Sequence, residues 1–478
     1  MSSTRSNLPV HHVNKARSLG QEEYSRPSTT EEVVAEEQDS DHADHVHDKE
    51  AQLDERSALS RTVTAESVIP PPPDGGLHAW LKVFGGFMIY INIWGFTLTY
   101  GAFQAYYKST LLRDSSPSSI SWIGTVQAWL LIVIGVLSGP LFDLGYFRSM
   151  LLVGNFLVVF GIMMLSLSTT YWQVFLSQGL CMGLGAGLLY IPSLALVGIW
   201  FSKKRALAMG IVMSGIAVGG VIYILMFDRL TKSAGFPWAI RGIGFVALAA
   251  ALLSIPALLS GSSVLATKRR RRSLFDKSAL TDRLFLLFTC CSFSTFLGYI
   301  VPYFYIPTYA IQRLGSSEST GLMMLVLSVA GSFFGRLLSG VLAHYAGAIV
   351  TWALCAFASG VLALSWIGIE KESTFIAFSI LWGFFSAALV TVPSAAFANI
   401  TPDLSRLGTR LGMSWSVSSI ASLIGAPIAG ALLRRDDSGQ TNFLGVQIWS
   451  GACLMVGTLW LCVLWLVTVR TQKKGWRV

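Results

Sequence analysis

Long apolar stretches alternate with short polar connections from Trp80 to near the C-terminus. A bilayer core requires about 20 predominantly apolar residues per helix, and twelve stretches meet this requirement. They cover residues 82–104, 120–142, 149–168, 172–199, 205–226, 237–259, 282–310, 320–343, 347–368, 374–397, 408–433 and 444–469. Most connections are too short to hold another folded domain. The pattern therefore predicts an all-α membrane protein with twelve transmembrane helices.

The predicted spans divide six and six around a basic connection. We expect a disordered acidic cytosolic tail over 1–74, a six-helix bundle over 75–259, a basic cytosolic linker over 260–281, a second six-helix bundle over 282–469 and a cytosolic tail over 470–478. The first segment contains 7 Lys/Arg, 15 Asp/Glu and few aromatic residues. Such a composition cannot bury enough apolar area to offset the entropy lost on folding.

Basic residues indicate the orientation of the chain in the membrane. Connections after even-numbered spans, together with the C-terminus, carry 17 Lys/Arg, and the opposite connections carry 9. Because excess Lys/Arg marks the cytosolic side, both termini are expected in the cytosol. The plasma membrane is the first expectation for location, and an internal vacuolar membrane is the second. The basic clusters adjoin apolar spans, so the expected partner is the lipid bilayer rather than nucleic acid.

The sequence offers no evidence for a bound cofactor or metal. The His- and Asp-containing tract over 41–48 lies in the acidic tail and is interpreted as disordered. The glycines from Gly183 to Gly187 lie inside an apolar span and follow no strand, so they do not form a nucleotide-binding loop. We therefore expect a secondary transporter that works as a monomer, without a cofactor, on a small organic solute.

Small residues recur at four-residue spacing on several spans, as at Gly183 and Gly187 or at Gly331 and Gly335. In lipid, such residues allow helix backbones to approach closely. Both fixed packing and a sliding interface between the bundles fit this pattern.

Two segments carry a more specific signal than hydropathy. Residues 74–80 read Asp-Gly-Gly-Leu-His-Ala-Trp, and residues 200–210 read Trp-Phe-Ser-Lys-Lys-Arg-Ala-Leu-Ala-Met-Gly. Together they resemble the paired signatures of the monocarboxylate porter family of the major facilitator superfamily. Residues 409–413 and 425–430 resemble the fungal branch of that family. The resemblance implies the major facilitator fold, alternating access, and transport of a monocarboxylate or related metabolite, with protons as a possible second substrate.

The resemblance and the topology together suggest a set of gating or motif residues at the cytosolic side. These are Asp74, Trp80, Asp143, Lys203, Lys204 and Arg205. Asp143 ends a segment after span two that resembles the superfamily's gating loop. A pairing of Asp143 with Arg148 or another basic residue, and a simply solvated acid, both fit the sequence.

Arg336 is the clearest charge within any predicted span. An arginine at the bilayer centre costs about 2.5 kcal/mol or more, so it should face the bundle interior beside a counter-charge. The resemblance implies that Arg336 binds the substrate carboxylate. The alternative is that its side chain extends to the nearby cytosolic interface.

Other polar or aromatic side chains on apolar spans are candidates for the substrate cavity. They are Asn92, Tyr100, Gln104, Gln127, Tyr190, Tyr303, Phe384 and Ser386. For each of them a hydrogen bond between helices is the competing interpretation, because buried polar groups need partners.

Two departures from the family pattern bear on the substrate. Ser332 stands where animal members have an acid, and the lower part of span one has no lysine, with Lys82 and Lys108 at its ends instead. These departures favour a larger, less charged solute, so export of a secondary metabolite is the alternative to organic-acid transport. A membrane-embedded enzyme and a carrier-like receptor or sensor are alternatives of other classes.

Overall fold

The computed structural model describes residues 75–201, 204–261, 274–401, 406–435 and 440–472. Eleven helices in this part of the chain are long and apolar enough to cross a membrane. We label the first four α1 to α4 (Leu77–Leu111, Pro117–Asp143, Phe147–Leu165 and Tyr171–Trp200). The fifth runs over Arg205–Leu259. Those that follow are α7 to α12 (Arg283–Gln312, Glu318–Ala346, Ala348–Gly368, Glu372–Ile400, Leu407–Ala431 and Leu444–Gln472).

The long helix Arg205–Leu259 accounts for two of the predicted spans. Its 55 residues would extend about 80 Å at 1.5 Å per residue, far beyond a hydrocarbon core of about 30 Å. The helix is interrupted at Gly235, whose φ of 80° is in the left-handed region that favours glycine. We label the segments before and after Gly235 α5 and α6. With both counted, the prediction of twelve spans is confirmed.

Several spans are not continuous α-helices. α1 contains π-helical turns at Ile91–Gly95 and Tyr107–Leu111, and α4 contains one at Phe175–Cys181. α10 comprises three shorter helices, Glu372–Ser386, Ala388–Thr391 and Pro393–Ile400. Two short strands, β1 (Arg434–Arg435) and β2 (Thr441–Asn442), pair antiparallel between α11 and α12. This hairpin was not predicted, because two-residue strands carry no hydrophobic pattern of their own.

The glycine-rich stripes pack spans together within each half of the chain. A methyl group on Gly183 of α4 would lie 2.9 Å from Leu130 Cβ of α2, and one on Gly331 of α8 would lie 2.6 Å from the carbonyl oxygen of Ile380 of α10. Neither pair of helices joins the first six spans to the last six. For these two stripes, the structure therefore favours fixed packing within one half over a sliding interface between the halves.

Lys82 lies near the start of α1, as the sequence interpretation places it. Its side chain is fully buried, and its ammonium donates hydrogen bonds to the carbonyl oxygens of Ala257 at 3.3 Å, Leu258 at 2.7 Å and Ser260. It also lies 5.3 Å from the centre of the Trp200 ring. The last carbonyls of a helix have no partner within it and carry a partial negative charge. Lys82 therefore caps the C-terminus of α6.

Candidate substrate cavity

A cavity of about 270 Å³ lies between α2, α4 and α5 on one side and α10 and α11 on the other. Its lining is aliphatic, aromatic and thioether in character, with a few hydroxyl groups. The lining residues are Val136, Gly139, Pro140, Tyr190, Ile191, Leu194, Ala195, Met209, Met213, Leu274, Ser394, Gly408, Thr409, Leu411, Gly412 and Trp415. Among these described residues there is no Asp, Glu, Lys, Arg or His. Ligand sites in proteins commonly combine such an apolar wall with a few polar groups.

Tyr190 of α4 is the predicted site residue that lies in this cavity. Its ring stacks on Trp415 of α11, with 6.3 Å between ring centroids and 16° between planes. On its other sides it contacts Trp94 at 5.6 Å and Tyr90 at 6.0 Å, both from α1. Gly135 of α2 allows Tyr190 to approach that helix closely, because a methyl group on Gly135 would lie 2.9 Å from Tyr190 Cδ1.

The end of the linker forms part of the cavity wall. Leu274 lines the cavity, and the backbone N–H of Asp276 donates to the sulfur of Met413 at 3.3 Å. Arg410 of α11 holds this segment by two ion pairs, from Nε to Asp276 at 2.9 Å and from Nη1 to Asp282 at 2.8 Å. The five-residue 3-10 helix Lys277–Thr281 lies between the two acids.

Asp276 has an environment that favours its charged form. The Ser278 hydroxyl donates to Asp276 Oδ1 at 2.6 Å. This hydrogen bond, followed by the Arg410 guanidinium, lowers the pKa of Asp276 from 3.8 to about 2. The attachment of the linker to α11 is therefore fully charged at neutral pH.

The opposite end of the helix assembly has polar contacts between the two halves, beside a smaller cavity of about 190 Å³. The Tyr305 hydroxyl of α7 lies 2.8 Å from Ser121 Oγ of α2 and donates to the Ala426 carbonyl oxygen at 3.2 Å. Asp228 of α5 accepts hydrogen bonds from Lys232 at 2.6 Å and from Ser319 Oγ of α8 at 3.1 Å. The larger of these two cavities, of about 270 Å³, lies toward the end that holds the linker, and we call it the large cavity.

Arg336 of α8 is half-buried and does not line this cavity. Its Nη1 donates to Ser332 Oγ at 2.7 Å, and its Nε is buried without a hydrogen-bond partner. It is close enough to Tyr299 and Tyr303 of α7 to interact with them electrostatically. No ion pair within the described part of the chain includes Arg336. The described residues therefore do not supply the counter-charge expected for Arg336, because α7, α8 and α10 carry no acid near this depth.

Asn92 and Tyr100 make contacts between helices. The Asn92 amide nitrogen donates to the Ala247 carbonyl oxygen at 2.9 Å, and its oxygen accepts from the Tyr223 hydroxyl at 2.6 Å. The Tyr100 hydroxyl donates to the Ile120 carbonyl oxygen. These contacts match the competing interpretation that such groups join helices.

Gln127 and Phe384 lie outside the lining of the large cavity. The Gln127 Oε1 atom is buried without a hydrogen-bond partner. Phe384 is half-buried, and its ring makes an edge-to-face contact with Phe385 at 5.2 Å. A substrate contact for either residue stays a prediction.

The predicted motif residues are distributed around the linker end. Trp80 contacts Phe201 edge-to-face, with ring centroids 5.4 Å apart. Lys204 and Arg205 are exposed at the start of α5. Asp143 is the last residue of α2 and is 4% exposed, so the expected loop is instead the final turn of a helix that continues through Pro140. Asp74 and Lys203 lie outside the described residues.

Sequence reasoning missed Trp415, Met209, Met213 and Leu274 as cavity residues. A tryptophan or methionine within an apolar span has no sequence feature that distinguishes a cavity wall from a lipid-facing surface. The segment over 409–413 was singled out only as a resemblance, yet it supplies Thr409, Leu411 and Gly412 to the lining.

Comparison with known proteins decides the family. The model of the Major Facilitator Superfamily matches residues 83–371. The chain belongs to this superfamily. It is therefore a multi-pass membrane transporter of small molecules and not an enzyme, and the predicted fold is confirmed.

Relatives within the Major Facilitator Superfamily include several fungal proteins. The chain is 37% identical over 390 residues to the MFS-type transporter dbaD of Emericella nidulans, covering 82% of this chain and 86% of the relative. It is 34% identical over 430 residues to the aspyridones efflux protein apdF of the same organism, covering 88% and 86%. It is also 34% identical over 424 residues to the fujikurins efflux protein of Gibberella fujikuroi, covering 86% and 87%. The predicted monocarboxylate porter branch stays a prediction.

Proposed function

We propose that this protein exports an uncharged, largely apolar secondary metabolite from the cytosol by alternating access. The observation that carries the proposal is the cavity of about 270 Å³, whose described lining has no Asp, Glu, Lys, Arg or His. An anion would lose hydration in such a site without gaining a counter-charge from the described lining. A neutral apolar solute would gain from burial of its surface.

The names of two relatives support this direction of transport. The Emericella nidulans and Gibberella fujikuroi proteins are named efflux proteins for aspyridones and for fujikurins. For an uncharged solute made inside the cell, its own concentration gradient favours exit, and the membrane potential exerts no net force on it. Proton coupling and action as a monomer remain part of the expectation from the sequence.

The orientation is also part of the proposal. If the linker lies in the cytosol, as the distribution of basic residues predicts, the large cavity lies toward the cytosol and the contact between Tyr305 and Ser121 lies toward the outside. The structure then corresponds to an inward-facing state, ready to load a cytosolic solute. We expect this arrangement in the plasma membrane, with a vacuolar membrane as the second location.

A second candidate function is transport of an organic acid. Arg336 favours it, because a buried guanidinium without a carboxylate partner among the described residues can bind an anion. A substrate bound there would occupy the interior of the last six spans. A carrier-like sensor is the alternative in which a solute binds but no flux follows.

Export can be tested with a variant that fills the cavity. Gly412→Leu adds a side chain to the lining, where a methyl group alone would lie 3.0 Å from Val136 Cγ1. The matched control is Gly340→Leu, since the space around Gly340 of α8 is open. Cells that express each full-length variant are loaded with a panel of neutral metabolites and of carboxylates, and retention is measured over time.

We expect wild type and Gly340→Leu to release neutral compounds faster than cells without the protein, and Gly412→Leu to lose this release. Faster release of the carboxylates, without faster release of the neutral compounds, would overturn the proposal and favour transport of an organic acid. Release that is equal in Gly412→Leu and wild type would show that the cavity is not the route.

A further inference from the structure

The side chains that line the cavity indicate which class of neutral solute the protein exports. This inference rests on the proposed function. Tyr190 and Trp415 stack on each other in the lining, with ring centroids 6.3 Å apart and 16° between planes. One ring comes from α4 and the other from α11. We infer that a planar, conjugated, uncharged solute is recognised by stacking on the half-buried ring of Trp415, on the side away from Tyr190.

The Tyr190 ring is held in place before any ligand binds. Trp94 meets it edge-to-face at 74°, and Tyr90 lies against it at 50°. Trp94 and Tyr90 are 7% and 1% exposed, so they are themselves packed firmly. A binding surface that is already ordered loses little conformational entropy when the ligand arrives.

The rest of the lining complements a flat ring system. Met209 and Met213 of α5 provide thioethers, which make favourable contacts with aromatic rings. Hydroxyl groups of Ser394 and Thr409 can hydrogen-bond a carbonyl or hydroxyl substituent. A saturated solute of equal size would keep the apolar contacts and lose the stacking.

The two rings belong to different halves of the chain. Because the lining also includes residues of α2, α4 and α5, a solute stacked on Trp415 contacts the first six and the last six spans together. This arrangement makes Trp415 a specificity-determining residue and gives Trp94 and Tyr90 the role of positioning residues.

Binding to the purified full-length protein tests this inference apart from transport. The probes are 2-naphthalenemethanol, its saturated counterpart 2-decalinmethanol and the planar anion 2-naphthoate. The variants are Trp415→Leu and Trp415→Phe. The control is Trp460→Leu, which removes an indole that is 39% exposed on α12, outside the cavity lining. Thermal midpoints are recorded for every variant, and Trp415→Phe keeps the test valid if Trp415→Leu is unstable.

We expect wild type to bind the planar alcohol about tenfold more tightly than the saturated one, the size expected for ring stacking. Trp415→Leu should remove this preference, Trp415→Phe should keep most of it, and Trp460→Leu should match wild type. The planar anion should bind more weakly than the planar alcohol.

Equal affinity for the two alcohols, no binding of either, or an unchanged preference in Trp415→Leu would overturn the inference. Planarity-dependent binding without export would overturn the proposed function while the ring-pair site stands. Export of neutral solutes without a preference for planar ones would overturn the ring-pair inference and leave the proposed function standing.

Discussion

Trp80 and Phe201 lie in edge-to-face contact, with ring centroids 5.4 Å apart and planes at 65°. Trp80 belongs to the sequence signature ahead of the first span, and Phe201 belongs to the signature that enters the fifth. The two segments are far apart in sequence and meet at the linker end of the first six spans. Their pairing gives the two signatures a shared structural role, which is to join the start of α1 to the end of α4.

A double-mutant cycle tests the coupling between Trp80 and Phe201. We expect Trp80→Leu and Phe201→Leu each to lower the free energy of unfolding, and the coupling energy to be about 0.5–1.5 kcal/mol, as for other aromatic pairs. Thermal or denaturant unfolding in detergent supplies the measurement. Strictly additive effects of the two substitutions would contradict a direct coupling.

Lys82 is expected to be more important for stability than its place near a helix end suggests. Lys82→Met removes the donor for the last carbonyls of α6 and leaves buried acceptors unpaired, so we expect a loss of about 2–3 kcal/mol. Lys108 is a matched control, since it also donates to two carbonyl oxygens, those of Arg113 and Ser115, at a more exposed position. Unfolding midpoints of Lys82→Met and Lys108→Met should differ clearly, and equal midpoints would argue against the capping role.

Arg410 should control the attachment of the linker. Arg410→Ala removes the ion pairs to Asp276 in the linker and to Asp282 at the start of α7, and we expect a stability loss of about 1–2 kcal/mol together with faster proteolysis near Leu274. Arg406→Ala is the comparison, because the Arg406 side chain is 54% exposed and lies 3.7 Å from Asp276. Limited proteolysis of both variants provides the readout. Cleavage at the wild-type rate in Arg410→Ala would mean that the linker is held by other contacts.

The acid dependence of this attachment follows from Asp276. Because the folded-state pKa is about 2, below the ordinary 3.8, its contribution is present above pH 4 and is lost as the pH falls toward 2. Between pH 5 and 8 the attachment should therefore not titrate. Unfolding midpoints of wild type and Asp276→Asn, measured from pH 2 to 7, should converge only at the acid end. A difference that changes near neutral pH would contradict this assignment.

Arg336 distinguishes the two candidate functions. If the substrate is neutral and binds in the large cavity, Arg336→Met should leave its export within about twofold of wild type, because Arg336 is not in the lining. If a carboxylate is the substrate, the same variant should lose transport, by a factor of ten or more for a charged hydrogen bond of about 1.5–3 kcal/mol. The flux of a neutral solute and of a carboxylate, each measured with wild type and with Arg336→Met, decides between the two candidate functions.

Hydropathy predicted the number of spans because each crossing must satisfy its backbone inside a helix and present apolar side chains to lipid. It also separated α5 from α6, although the structure joins them through a single residue, Gly235. The π-helical turns of α1 and the hairpin after α11 were not predictable, since they depend on the packing of neighbouring helices.

The candidate site was predicted less well than the fold. Tyr190 was expected in a cavity, and the structure places it there. Trp415 was missed because its role depends on the rotation of α11 about its own axis, and the serines and apolar residues of this helix do not separate into distinct faces in the sequence. Asn92 was a reasonable candidate, but whether a buried amide meets a ligand or another helix is decided by partners distant in sequence.

The Lys82 cap also has a consequence for biosynthesis. Its acceptor at Ala257 lies 175 residues later in the chain, so the ribosome needs roughly 10–35 s to supply it at ordinary elongation rates. Until then the Lys82 ammonium lies in the translocon or at the membrane surface without its carbonyl acceptors, and the first helix cannot make all of its native contacts. Closure of this contact marks the earliest moment at which the first six helices can adopt their native arrangement, before most of the second half has been translated.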